Sequence, residues 1–182
     1  ALFIAVPWAA RPASSAPANN VFGVNLATLS HEEGYLSATA SFVNSGGGDW
    51  GYVTILLDRQ QRDHPDRFQA FLDRCAEHHL IPIVRLATHF NGARWVKPAP
   101  DEPEQWKSFL DDMRWPSSSR YLVGGNEPNL ANEWGGQIRP DEYARYLDRM
   151  AALLSYRNGG KFRVMNGPMD LSAPTIPGEA LD

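Results

Sequence analysis

Hydrophobic residues recur along the chain in two alternating patterns. Short apolar runs begin near residues 21, 51, 81, 121 and 161, and runs of about four to eight apolar residues are typical of buried strands. Between these runs, apolar residues recur at intervals of three and four, which predicts amphipathic helices. The clearest stripe comprises Phe68, Phe71, Leu72, Cys75 and Ala76, so Cys75 is interpreted as a small buried hydrophobe.

The predicted elements form four strand–helix units and a fifth strand. Each unit spans roughly 30–40 residues, the size of a βαβ repeat, which requires parallel strands joined by right-handed crossovers. The predicted strands cover residues 21–26, 50–57, 80–87, 121–123 and 161–166. The predicted helices cover residues 36–43 and begin near residues 65, 103 and 140.

Two architectures contain such a series of units. A doubly wound open sheet is complete with five strands, but a nucleotide binder of that type carries a glycine-rich turn after its first strand. Residues 27–34 read ATLSHEEG and lack that turn. A barrel active site is instead built from polar residues at successive strand ends, and here these are Asn25, Asp58, His89, Glu127 and Asn166. The sequence therefore favours an α/β fold of the (β/α)8 TIM-barrel type, partial, with about five strands and four helices over residues 21–182.

Composition and charge restrict the partners of the chain. Of the 182 residues, 43% are hydrophobic and 21% are charged, as is usual for one soluble domain with its own core. The formal charge of −4 argues against nucleic acid, because phosphate binding requires a basic face. A single cysteine excludes an internal disulfide.

The first twenty residues differ from the rest of the chain. Residues 1–10 are apolar and uncharged, and residues 11–20 are rich in Pro, Ala, Ser and Asn. This pattern predicts the remnant of a signal peptide followed by a linker, and therefore a secreted or extracytoplasmic protein. The alternative is an apolar arm that packs on a neighbour. No other stretch is long enough to span a membrane, so we expect no membrane partner.

The chain from residue 120 to residue 130 reads RYLVGGNEPNL. An apolar strand ends in two glycines and runs directly into Asn126, Glu127, Pro128 and Asn129. A carboxyl group at the mouth of an apolar sheet loses solvation, which favours the protonated form that a proton donor needs. Pro128 is expected to restrict Glu127 to an extended conformation. The alternative is a simple turn built from loop-forming residues.

The GGNEPN motif resembles the fourth strand of the clan of TIM-barrel retaining glycoside hydrolases, which includes cellulases, mannanases, xylanases and β-xylosidases. The resemblance implies that Glu127 is the general acid/base and that Asn126 contacts the sugar 2-hydroxyl. It implies a carbohydrate partner, a β-linked oligo- or polysaccharide, and chemistry that requires no metal and no nucleotide cofactor. The resemblance extends from residue 21 to about residue 171.

The clan's nucleophile is a glutamate at the end of the seventh strand, and this chain contains five predicted strands. Glu179 lies in a Pro/Gly-rich tail and matches no position of the clan's pattern. Two hypotheses follow: part of a glycoside hydrolase, or a non-catalytic carbohydrate-binding or scaffold protein on a truncated barrel. The isolated chain is expected to be inactive or very weak. Open edges at the first and fifth strands would favour self-association.

Other residues are candidates for substrate binding. His89 could hydrogen-bond a sugar hydroxyl or Glu127, Arg85 could hold a carboxylate ionised from beneath the site, and Asn25 could line the cleft floor. Trp134 and Trp95 could stack on a sugar ring. The alternatives are a solvated loop histidine, a structural ion pair, a strand-end cap and two loop anchors. A third hypothesis, an open-sheet domain that binds a small anionic ligand, depends on the strand order.

Overall fold

A computed structural model describes residues 21–26, 29 and 33–173 of the chain. The predicted export segment at residues 1–20 and Glu179 lie outside the described residues. The elements, in chain order, are β1 (Gly23–Asn25), α1 (Glu33–Val43), β2 (Gly51–Leu57), α2 (Pro65–Glu77), β3 (Leu80–Leu86), α3 (Glu102–Asp111), β4 (Tyr121–Gly124), α4 (Pro140–Leu154) and β5 (Arg163–Asn166).

The five strands form one parallel sheet in the order β1-β2-β3-β4-β5. Each strand therefore pairs with the next strand in the chain, as successive strands do in a (β/α) barrel. The prediction of an α/β fold with a partial barrel is confirmed. The order 2-1-3-4-5 of a doubly wound sheet is excluded, and with it the open-sheet hypothesis.

The hydrophobic core lies between one face of the sheet and the helices. Residues of β2 alternate between buried and half-buried, although an apolar run of this length is typical of a buried strand. The buried side chains of β2 are Val53, Ile55 and Leu57. The half-buried side chains, which face the barrel interior, are Tyr52, Thr54 and Leu56. The interior face of the sheet is thus left partly open by the described residues.

The helices contribute the apolar stripes that the sequence predicted. Phe68, Phe71, Leu72 and Cys75 of α2 are fully buried in one continuous core cluster. Burial raises the pKa of the Cys75 thiol, so this cysteine is held in its neutral form as a small apolar residue.

The polar end of β2 has a structural role. The Asp58 side chain accepts a hydrogen bond from the Gln61 backbone N–H (3.1 Å), and the Gln61 side chain accepts one from the Asp58 N–H (2.8 Å). This reciprocal capping box begins the short 3₁₀ helix Arg59–Asp63. A polar residue at a strand end is therefore a cap in this case.

A buried ion pair attaches α3 to that 3₁₀ helix. The Glu102 side chain is fully buried, and its carboxylate accepts hydrogen bonds from Arg59 and forms a second ion pair with Arg62 at 2.9 Å. The Arg62 guanidinium lies 4.5 Å from the centroid of the Trp106 ring. One fully buried carboxylate thus forms ion pairs with two guanidinium groups.

We expect Glu102→Gln to lower the free energy of unfolding by about 2 to 3 kcal/mol, because two guanidinium groups would lose their buried anion. Urea unfolding measures the change. The matched control is Glu104→Gln on the same helix, because Glu104 pairs with Arg149 at the surface. That control should leave the unfolding midpoint almost unchanged. Equal losses in the two variants would contradict the importance of burial.

Candidate active site

Two glycines carry the chain off the sheet at the end of β4. A side chain at Gly124 would place its Cβ 3.0 Å from the Leu147 side chain of α4. Gly125 has φ of +94°, a left-handed conformation that favours glycine. Its N–H donates to the carbonyls of Leu86 and Val123, both at 3.1 Å. The glycines therefore allow a sharp turn at the carboxyl end of β4, close to β3 and α4.

Glu127 has φ of +34°, so the prediction of an extended conformation before Pro128 is wrong. The local preference is overridden because residues 127–130 form a tight turn, in which the Leu130 N–H donates to the Glu127 carbonyl at 2.8 Å. The turn is anchored from outside, since Asn129 and Asp170 exchange two hydrogen bonds of 2.8 and 3.0 Å. Backbone strain at a non-glycine residue with a positive φ costs about 1 to 3 kcal/mol, and such residues are typical of functional sites.

Arg85, Asn126 and Glu127 form a chain of hydrogen bonds. Arg85 Nη1 donates to Asn126 Oδ1 at 3.0 Å, and Asn126 Nδ2 donates to Glu127 Oε2 at 3.3 Å. Because a guanidinium can only donate, the contact with Arg85 assigns the amide orientation and directs its NH₂ group toward the carboxyl group. The structure thus brings together three residues that the sequence singled out.

A cavity of about 110 Å³ lies between the loops after β3 and β4. It is lined by Arg85, Asn126, Trp95 and Trp134, which the sequence singled out, and by Glu133, which it did not. Glu127 does not line this cavity, but its carboxyl group accepts a hydrogen bond from Asn126, which does. Two backbone hydrogen bonds tie the two loops together around it, from Trp95 N–H to the Asn132 carbonyl and from Gly135 N–H to the Trp95 carbonyl.

Glu133 is a second carboxyl group at the site. It belongs to the short 3₁₀ helix Ala131–Glu133 and is half-buried. Burial raises the pKa of Glu133, and the neighbouring charge of Glu127 raises it further, while a hydrogen bond from Asn126 and the charge of Arg85 oppose the rise. In the sequence, Glu133 is a glutamate in the loop that follows the GGNEPN motif. Loop residues have no periodic pattern that predicts the direction of a side chain, so the sequence did not single out Glu133.

The two tryptophans differ in exposure. Trp134 is only 5% exposed and makes edge-to-face contacts with Tyr143 and Tyr146. Its ring therefore packs mainly against protein, as expected for a loop anchor, while its stacking on a sugar stays a prediction. Trp95 is half-buried, and its ring centroid lies 5.8 Å from that of Phe90, which is 53% exposed. Phe90 was not predicted as a site residue.

The remaining candidates, Asn25 and His89, do not line the cavity. Asn25 ends β1 with an exposed side chain and does not line the cavity. The His89 carbonyl accepts a hydrogen bond from the Val96 N–H at 3.0 Å. Among the described residues, no hydrogen bond joins the side chains of His89 and Glu127. Within the same part of the chain, no cluster of three or more His, Cys, Asp or Glu side chains is arranged to hold a metal ion.

We expect Glu133→Gln to increase the free energy of unfolding at neutral pH but not at about pH 3. Because its pKa is raised in the folded protein, protonated Glu133 contributes stability that is complete at low pH and is lost as the pH rises through the raised pKa. A neutral amide avoids that loss. Urea unfolding at the two pH values measures the difference.

The exposed carboxyl of Glu77 on α2 supplies the control, and Glu77→Gln should bring no gain at neutral pH. A loss of stability in Glu133→Gln at neutral pH would contradict the prediction. It would show that attraction to Arg85 outweighs the cost of burying the charge.

Comparison with known proteins gives one informative likeness. No protein-family model and no curated protein matches the chain. A similar solved structure is that of a point variant of GH5_18, a glycoside hydrolase from Streptomyces cattleya, in complex with Manβ1-4GlcNAc. Its TM-score is 0.52 at 17% sequence identity, with coverage of 80% of this chain and 44% of that chain. This chain therefore spans less than half the length of that structure, and the two share the fold of a partial TIM-type barrel.

Proposed function

We propose that this chain supplies the proton-donor half of a glycoside hydrolase active site, with Glu127 as the general acid/base. The observation that carries the proposal is the hydrogen-bond chain from Arg85 through Asn126 to Glu127 at the carboxyl end of β4. Active sites of barrel enzymes form at this end of the strands. The likeness in fold to a glycoside hydrolase supports the same reaction class.

The proposed reaction is hydrolysis of a β-linked oligo- or polysaccharide with retention. Glu127 gives its proton to the glycosidic oxygen as the bond from that oxygen to the anomeric carbon breaks. A second carboxylate about 5 Å away bonds the anomeric carbon, and Glu127 then takes a proton from the water that hydrolyses this intermediate. We assign the nucleophile to no residue of this chain. Asn126 orients Glu127 and is within reach of the substrate.

The shape of the site fits partial contact with a sugar. Pockets that enclose a whole ligand measure about 300 to 1,000 Å³, so a cavity of about 110 Å³ would take only one edge of a sugar ring. The exposed ring of Phe90, supported edge-to-face by Trp95, offers an apolar surface beside it. A sugar chain would thus lie across the rim while polar groups on its edge approach Arg85 and Asn126.

In the full-length protein, we expect Glu127→Gln to slow hydrolysis of glycosides with poor leaving groups by roughly 100- to 10,000-fold. Aryl β-glycosides with activated leaving groups should be slowed much less, because their departure requires little protonation. Steady-state kinetics on a series of aryl β-glycosides and on plant polysaccharides measures both effects. Equal losses across the series would contradict the proton-donor role, and Glu77→Gln on the distant helix α2 is the control for removal of a carboxylate.

A second candidate function is carbohydrate binding without cleavage. The exposed Phe90 ring beside Trp95 favours it, because an apolar ring surface at a polar cavity binds sugars whether or not chemistry follows. This candidate requires a carbohydrate ligand and no nucleophile. It is distinguished from the first by binding in the absence of any hydrolysis.

We expect Phe90→Ala to weaken carbohydrate binding roughly fivefold, or by about 1 kcal/mol, because a sugar-contacting ring is removed. The matched control is Phe42→Ala, since Phe42 is 71% exposed but lies on α1. Titration calorimetry with Manβ1-4GlcNAc and with cello-, manno- and xylo-oligosaccharides measures the affinity. Equal affinities in Phe90→Ala and in the unmodified protein would rule out this surface as the binding site.

A further inference from the structure

The cavity beside Asn126 contains a hydrogen-bond donor without a protein partner. Arg85 lies on β3, is half-buried and lines the cavity. Its Nη1 donates to Asn126 Oδ1 at 3.0 Å, whereas its Nε is buried and donates to no group of the described residues. A buried donor without an acceptor is costly. The Arg85 Nε–H group is therefore suited to bind an acceptor oxygen of a ligand.

Much of the remaining cavity wall is apolar. Leu56 of β2 contributes to it, as do Ala87, Val96 and Pro98 from the segment that follows β3. The hydroxyl group of Thr88 also lines the cavity, but it already donates to the Val96 carbonyl. Binding pockets of this kind combine apolar walls with a few polar groups that orient the ligand. A ligand group that fits this space therefore has an apolar part as well as an acceptor oxygen.

The charges of the wall favour a neutral ligand group. Among the described residues, the charged side chains that line the cavity are those of Arg85 and Glu133. An anionic group would be attracted by Arg85 but repelled by an ionised Glu133 in the same small space. A neutral carbonyl oxygen accepts a hydrogen bond from Arg85 without that repulsion. A carbonyl group that carries a methyl group satisfies both the donor and the apolar wall.

We propose that this cavity binds the acetyl group of an acetylated sugar, with the carbonyl oxygen on Arg85 Nε and the methyl group against Ala87 and Val96. The cavity volume of about 110 Å³ is too small to enclose a sugar ring but exceeds the roughly 10 to 15 Å³ that one water molecule requires. The inference rests on the proposed function for the position of the sugar, since Asn126 both lines the cavity and contacts Glu127. It adds the class of substrate, an acetylated glycan.

Titration calorimetry on the full-length protein tests this acetyl subsite without any hydrolysis. One pair of probes is O-acetylated xylo- or manno-oligosaccharides before and after mild alkali, which removes ester-linked acetyl groups. A second pair, Manβ1-4GlcNAc and Manβ1-4Glc, tests an amide-linked acetyl group. We expect the acetylated member of at least one pair to bind roughly tenfold more tightly, because its partner leaves the Arg85 donor unpaired. Equal affinities in both pairs, or no binding of any acetylated probe, would overturn the proposal.

Two variants assign the preference to this cavity. Ala87→Leu fills the space for the methyl group, and Arg85→Lys keeps the charge but has no N–H equivalent to Nε. Each should reduce the ratio of the two affinities from roughly ten to about one. The matched control is Ala144→Leu on the exposed face of α4, which should leave the ratio unchanged. A preference that persists in either cavity variant would overturn the assignment, and Arg85→Lys provides the test if Ala87→Leu does not fold.

Failure of this inference can be distinguished from failure of the proposed function. Tighter binding of acetylated probes by a protein that cleaves no glycoside would support the subsite and refute the enzyme. Hydrolysis that depends on Glu127, with equal kcat/KM for acetylated and deacetylated substrates, would support the enzyme and refute the subsite.

Discussion

The contact between Arg85 and Asn126 is the constraint on which the candidate site depends. Arg85 projects from β3 into the barrel interior, and its guanidinium can only donate, so the amide of Asn126 has one permitted orientation. That orientation directs the NH₂ group toward the carboxyl group of Glu127. Strands β3 and β4 pair directly, with Arg85 in register with Val123. The pairing of the two strands therefore fixes the separation between Arg85 and Asn126.

The loop that carries Glu127 is held in a conformation that its own residues disfavour. A positive φ at a residue before proline runs against two local preferences. Contacts between this loop and the rest of the fold compensate, namely the reciprocal Asn129–Asp170 hydrogen bonds and the burial of Trp134. The half-buried carboxyl group of Glu133, whose pKa is raised by burial, adds a further cost at neutral pH. Such local costs are typical of sites shaped by function, which are stabilised by the rest of the fold.

Polar residues at strand ends have different roles in the same molecule. Asp58 caps a 3₁₀ helix, Glu127 belongs to a hydrogen-bonded group at a cavity, and Asn25 is exposed at the end of β1. All three fit the pattern expected of a barrel active site. The surroundings of each strand end determine the role. Asp58 is a cap because a 3₁₀ helix begins next to it. Glu127 belongs to the candidate site because Arg85 of the neighbouring strand bonds to Asn126, its hydrogen-bond partner.

The sequence by itself determined the α/β class, the strand–helix series and the candidate acid, because strand and helix periodicities and the GGNEPN motif are local properties of the chain. It also singled out Arg85, Asn126 and Trp95. Only the tertiary structure decided the strand order, the left-handed conformation of Glu127, the burial of Trp134 and the presence of Glu133 and Phe90 at the site. These depend on contacts between loops that are distant in sequence, and no periodic pattern records which way a loop side chain points.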